Sequence, residues 1–105
     1  MNKSNIFAQI PTQLKEELFE DIISSDTLKI QRIVSKGHVT PDAQWYDQSN
    51  DEWVIVLKGE AILSFVDKAD KKLKVGDYLN IPAHTKHKVS WTKADVETIW
   101  LAIHY

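Results

Sequence analysis

Short apolar runs with a period of two, cut at close intervals by turn-forming residues, constrain this chain more than anything else in it. From residue 28 the side chains alternate, with Leu28, Ile30, Arg32 and Val34 on one parity and Lys29, Gln31 and Ile33 on the other. That period places neighbouring side chains on opposite faces of a strand. Residues 45–47 read as a short strand, and 48–51 are turn formers. Residues 52–57 are β-branched and apolar after an initial Glu52, and Gly59 breaks the run. Strand-like segments follow at 61–66, 73–75, 78–81, 87–91 and 96–105, separated by turns at 67–70, 76–77 and 92–95, with Pro82 closing one of them. Many short strands joined by tight turns predict an antiparallel sandwich or barrel.

The N-terminal part has a different pattern. Pro11 and Thr12 precede Leu14, Leu18 and Ile22, spaced by four, with Glu16 and Glu17 in the first turn. That spacing predicts a short helix over 12–18. Residues 19–24 fit either the end of that helix or an edge strand. Ile6, Phe7 and Ile10 sit among polar residues and suit an arm lying on the body or on a partner. The expected division is an arm, helix and edge strand over 1–27 and a barrel over 28–105, in one domain spanning 1–105.

Composition excludes several functions. A chain of 105 residues can bury one core but not two. With 13 basic and 15 acidic residues, there is no electrostatic reason to expect nucleic acid or anionic lipid as a partner. Cysteine is absent, so there are no disulfides, no thiol nucleophile and no thiolate metal ligand. That suits a reducing cytoplasm. The N-terminus leads into no sustained apolar segment, which argues against a signal peptide. No run approaches the roughly 20 apolar residues that span a bilayer.

The chemistry gathers between residues 45 and 87. Glu52 shares a strand face with Val54 and Val56, and a carboxylate there is costly to bury without a partner. Asp47 lies across the polar turn. His87 opens a later strand, with Val89 and Trp91 on its face, and His84 lies in the preceding turn. Two carboxylates and one or two imidazoles converging in a barrel would suit zinc, manganese, iron or nickel as a divalent ion. Read singly, each has a plainer explanation. A Glu at a hairpin start is usually solvated, a turn histidine is usually exposed, and His104 in the terminal strand can be a satisfied core or rim histidine. Trp45, Trp53, Trp91 and Trp100 are more often core than ligand cage.

The spacing resembles the two motifs of the cupin family, in regions 45–59 and 76–91. Glu52 and Gly59, with six residues between them, match the second half of the first motif. Gly76, Pro82 and His87 match the second at full spacing. The resemblance implies an all-β, antiparallel double-stranded β-helix, the jelly-roll or cupin barrel. It also implies that Glu52 and His87 are metal ligands. The departures are specific. The family usually uses three histidines and one glutamate. Here the two histidine positions of the first motif fall on Trp45 and Asp47 with a four-residue spacing before Glu52, or on Tyr46 and Gln48 with three. The four-residue register offers Asp47 as an oxygen ligand. His84 stands where the second motif has glycine, and Trp91 where it has asparagine.

The expected site is therefore Asp47, Glu52 and His87 with His84 as a fourth metal ligand, walled by Trp45, Val54, Val89 and Trp91. The expected function is divalent-metal binding in a barrel acting on a small oxygenated molecule. The alternative is a non-catalytic small-molecule-binding module with no metal or a structural one. A homodimer is expected, held by Trp53, Ile55 and Leu57 with the arm residues Ile6, Phe7 and Ile10.

Overall fold

The computed structural model describes residues 1–41 and 44–105. Eight strands follow in order: β1 (Leu18–Ser24), β2 (Lys29–Ser35), β3 (Glu52–Lys58), β4 (Ala61–Phe65), β5 (Lys71–Leu73), β6 (Tyr78–Ile81), β7 (His87–Thr92) and β8 (Thr98–His104). They form a five-stranded sheet, β1-β2-β8-β3-β6, and a three-stranded sheet, β5-β4-β7, with every pairing antiparallel. The described residues contain no helix.

The expected helix over 12–18 is not present. Residues before Leu18 are irregular, and the segment left open at 19–24 is strand. A seven-residue helix is marginal alone, whereas β1 gains a ladder from Leu18↔Val34 to Ser24↔Lys29 by pairing with the edge of β2. The short strand expected at 45–47 is reduced to one bridge, Tyr46↔His87.

Alternation decides what faces inward. In β3, Glu52, Val54 and Val56 are buried while Trp53, Ile55 and Leu57 are half-buried on the outer face. Ile33, Val54, Val56, Ala61, Leu63, Leu73, Ile81, Trp100 and Ala102 form the core between the sheets. Arg32 and Val34 point the other way and are nevertheless buried. The N-terminal arm explains this for Arg32. Its guanidinium pairs with Glu20 at 2.5 Å and donates to the Ile6 and Ala8 carbonyls at 3.0 and 2.6 Å. The arm is thus clamped over the outer face of β2 by one charged fork whose donors are matched by acceptors.

Gly59 turns β3 into β4 with φ of +83°, and a Cβ there would meet the Thr98 hydroxyl and lie 2.7 Å from the Thr98 Cα. Positive φ and backbone contact together require glycine. The expected outcome for Gly59→Ala is a loss of about 2–4 kcal/mol in urea unfolding, with the m-value unchanged, because the strain is local.

Candidate functional site

The two sheets enclose a cavity of about 110 Å³ that opens at one end of the barrel. Its apolar wall is Phe19, Ile33, Val54, Leu63, Ile81, Val89 and Trp100, and its polar groups are Glu17, Gln31, Tyr46, Gln48, Glu52, His87 and His104. The pleat explains most of this list. Ile33 and Gln31 are two apart on β2, Val54 and Glu52 on β3, Val89 and His87 on β7. On β8, Trp100, Ala102 and His104 share the parity that faces in. Glu52 and His104 are direct cross-strand partners.

Glu52 is 7% exposed and His87 5%. Glu52 lies between two imidazoles, its Oε1 at 3.4 Å from His87 Nε2 and its Oε2 at 3.9 Å from His104 Nε2. His87 Nδ1 donates to the Thr85 carbonyl at 2.8 Å, which leaves Nε2 turned to Glu52. Burial lowers the His87 pKa, but the Glu52 carboxylate and the Thr85 carbonyl outweigh it, and the net direction is upward. His104 is oriented from behind. The Gln31 amide nitrogen donates to Asp21 at 2.9 Å, so its oxygen faces His104 Nε2 at 3.2 Å and accepts from it.

Glu17 enters the cavity from the segment just before β1. Its carboxylate accepts from the Ser35 hydroxyl at 2.5 Å. Burial pushes its pKa up, against the lowering effects of Ser35 and of His38. Tyr46 stands between the two carboxylates in electrostatic terms. Burial, then Glu17, raise its pKa, Thr40 opposes, and Glu52 adds to the rise. The Gln48 side-chain oxygen is buried without a hydrogen-bond partner among the described residues.

The expected residues divide into two groups. Glu52, His87, Val54 and Val89 meet at the cavity. Asp47, His84, Trp45 and Trp91 do not. The 45–48 segment runs antiparallel to 84–87, with the Tyr46 amide donating to the His87 carbonyl at 2.7 Å and the His84 amide to the Gln48 carbonyl at 2.7 Å. Alternation then sends Tyr46 and Gln48 inward. Trp45 goes outward, where the Lys88 ammonium sits 4.5 Å from its ring centre, and Asp47 goes outward to His84 Nδ1 at 3.1 Å. The three-residue register, not the four-residue one, is the one the chain adopts. Trp91 lost its shared face with His87 through a bulge. Ile62 pairs with Trp91 but Leu63 pairs with Val89, and the extra residue reverses the parity. Trp91 lies outside, near the Lys72 ammonium. His84 occupies the motif's glycine position with φ of +60°, so it is a turn residue in a strained conformation. Glu17, Gln31, Tyr46, Gln48 and His104 are cavity residues that the expected site lacks. The parity of Trp100, Ala102 and His104 was a usable signal for His104, and the three-residue spacing for Tyr46 and Gln48. No local pattern pointed to Glu17.

The donor set can be tested against a metal ion. Of the cavity's polar groups, the candidate ligands are the Glu52 carboxylate, His87 Nε2 when the ring is neutral, and the unpartnered Gln48 oxygen. No group of three His, Cys, Asp or Glu side chains with metal-site geometry exists among the described residues. The 3.4 Å between Glu52 and His87 equals the edge of a tetrahedron with bonds of roughly 2.1 Å. Two side chains at ligand spacing are fewer than the closed tetrahedral site of a structural zinc uses.

With this geometry in hand, similarity places the chain. The cupin domain family matches residues 32–104, and the chain belongs to that family. A crystal structure of a Ralstonia eutropha JMP134 protein, provisionally named a mannose-6-phosphate isomerase, superimposes with a TM-score of 0.95 at 38% identity, covering 99% of this chain and 97% of that one. A cupin superfamily protein of Desulfitobacterium hafniense DCB-2 superimposes at 0.76 with 24% identity, covering 90% and 82%, which supports the fold. The uncharacterised protein YdbB of Bacillus subtilis is 36% identical over 67 residues, 63% of this chain and 57% of that protein. The match thus spans little more than half the length of that relative. The described residues contain no helix long and apolar enough to cross a membrane.

The pH dependence of stability follows from Glu17. Its folded pKa lies above the ordinary 4.5, so between the two values the folded chain holds more protons than the unfolded one. Stability from this group is therefore complete below about 4.5 and is lost as pH rises through the folded value. Glu17→Gln removes the titration. Chemical denaturation from pH 4 to 8 is expected to show the wild type losing stability relative to the variant as pH rises, and parallel curves would contradict this.

Proposed function

We propose that the barrel binds a small oxygen-bearing molecule at a divalent metal held by Glu52, His87 and Gln48. One observation carries the reading. His87 Nδ1 is committed to the Thr85 carbonyl, so its Nε2 faces Glu52 at 3.4 Å, and the same cavity is lined by Gln48, whose buried oxygen has no hydrogen-bond partner among the described residues. Lone pairs gathered in an apolar pocket call for a cation. Of the four ligands expected from the sequence, Glu52 and His87 are kept, and Gln48 stands in place of Asp47 and His84. Oxygen-rich ligation favours zinc, manganese or iron(II) over softer ions.

A bound metal would supply Lewis-acid polarisation of an oxygen atom. The chain's own residues do the rest. Val54, Leu63, Val89 and Trp100 give the cavity its apolar wall. The Tyr46 ring lies 5.7 Å from that of His87. His104 keeps a proton on the nitrogen nearest Glu52, held there through Gln31 and Asp21.

The second reading is a metal-free binding module. It is favoured by the absence of histidine at the two first-motif positions, where Tyr46 and Gln48 stand, and by a His87–Glu52 pair that satisfies itself once His87 is protonated. Elemental analysis of untagged protein decides. Near one equivalent of a transition metal is expected in the wild type, lost in Glu52→Gln and His87→Ala and retained in Asp47→Asn and His84→Gly. No metal after reconstitution would leave the metal-free reading.

The cytoplasm, with no nucleic-acid or membrane partner, remains the setting this reading assumes. So does a homodimer, supported by the half-buried Trp53, Ile55 and Leu57 on the outer sheet face and by Phe19, Ile22 and Ile23, about half exposed along the β1 edge. Sedimentation velocity at micromolar concentration is expected to give a dimer mass, and a monomer there would remove this part of the proposal.

A further inference from the structure

The charge inventory of the cavity limits what can enter it. Among the described residues, the lining includes Glu17 and Glu52 but no Lys or Arg. Three cations outside the lining are engaged elsewhere. Arg32 is held by Glu20 and the arm carbonyls, Lys88 lies over Trp45, and Lys72 sits near Glu60 and Trp91. Phosphate recognition ordinarily uses Arg forks, Lys ammonium groups or a helix N-terminus. Here the first two are absent from the cavity lining, and the described residues contain no helix.

Size points the same way. A cavity of about 110 Å³ is comparable with, and smaller than, the roughly 150 Å³ apolar cavity that accommodates benzene. A hexose phosphate has more than twice the non-hydrogen atoms of benzene. Its several hydroxyls would also face a wall that is predominantly Phe, Ile, Val, Leu and Trp.

Glu17 is placed to enforce the limit. Its carboxylate is held by the Ser35 hydroxyl on β2 and lines the same cavity as Glu52. A divalent ion at Glu52 and His87 would be offset by Glu52 and Glu17 together, which leaves no net positive charge to draw in an anion. An anion would then meet the Glu17 carboxylate as a like charge, whereas a neutral molecule would not be repelled.

Resting on the site proposed above, we infer that the barrel selects a small uncharged molecule, with one carbonyl or hydroxyl on a compact apolar body, that Glu17 excludes anions, and that phosphorylated sugars lie outside its range. The inference separates this chain from the activity suggested by the name of the Ralstonia protein while keeping the shared fold.

The test is a congeneric series read by isothermal calorimetry and thermal shift at pH 7.5, on the purified full chain, both as reconstituted with zinc and after chelation. The probes are cyclopentanol, cyclopentanone, cyclopentanecarboxylate, mannose 6-phosphate and inorganic phosphate. The expected result is binding of the neutral pair to the wild type at least about tenfold tighter than cyclopentanecarboxylate, with no response to mannose 6-phosphate or phosphate. In Glu17→Gln, which keeps an acceptor for Ser35, cyclopentanecarboxylate is expected to gain about tenfold or more while cyclopentanol changes little. Mannose 6-phosphate or phosphate binding the wild type more tightly than the neutral probes would overturn the charge class and leave the cavity as a ligand site. Unchanged carboxylate affinity in Glu17→Gln would overturn the role of Glu17. Failure of every probe in both preparations would overturn the inference on size and polarity. The metal analysis of Glu52→Gln and His87→Ala reads the underlying site independently of all these outcomes.

Discussion

A carboxylate buried in a cavity whose lining, among the described residues, has no Lys or Arg is the constraint around which this structure is arranged. Glu52 is nearly sealed, and the charge of such a group must be met by protonation, by hydrogen bonds or by a cation. The fold meets it with two imidazoles from different sheets. His104 arrives by direct cross-strand pairing on β8, and His87 comes across the cavity from β7. Each imidazole is oriented by a second partner, Thr85 for one and Gln31 for the other. That indirect support is what lets ring nitrogens act as defined donors or ligands.

The rest of the barrel positions those groups. β8 lies between β2 and β3, so Gln31, His104 and Glu52 stand on three adjacent strands of one sheet. The single bridge between Tyr46 and His87 ties the irregular 44–51 segment to the smaller sheet and turns two side chains into the cavity. The arm clamped by Arg32 leads into the stretch that delivers Glu17. A segment without regular structure thus contributes the second carboxylate of the cavity, and loops on a rigid scaffold often carry function in this way.

Fold and function separate in this molecule. The Ralstonia and Desulfitobacterium proteins share its architecture, and sites on a common barrel can differ in what they take. In this chain the family's usual histidine-rich first motif is replaced by Tyr46 and Gln48, and the cavity wall is apolar with acidic groups. These are changes of polarity and charge at fixed backbone positions, and they bear on the ligand rather than on the strands.

By itself the sequence determined the all-β architecture, the inward face of β3, and the pairing of Glu52 with His87, because period-two alternation and motif spacing are local properties of the chain. It left the register of residues 45–48 undecided between two spacings, and the four-residue spacing that offers Asp47 is not the one the chain adopts. Only the bridge to β7 settles that register, and a shift of one residue exchanges every inward and outward side chain. The bulge on β7 likewise moved Trp91 outside, since an extra residue reverses parity and has no local signature here. The helix expected at 12–18 gave way to irregular chain and an edge strand, because hydrogen bonds to β2 outweigh a weak local periodicity. Glu17, carried in on that same segment, is a cavity residue solely because tertiary contacts bring it there.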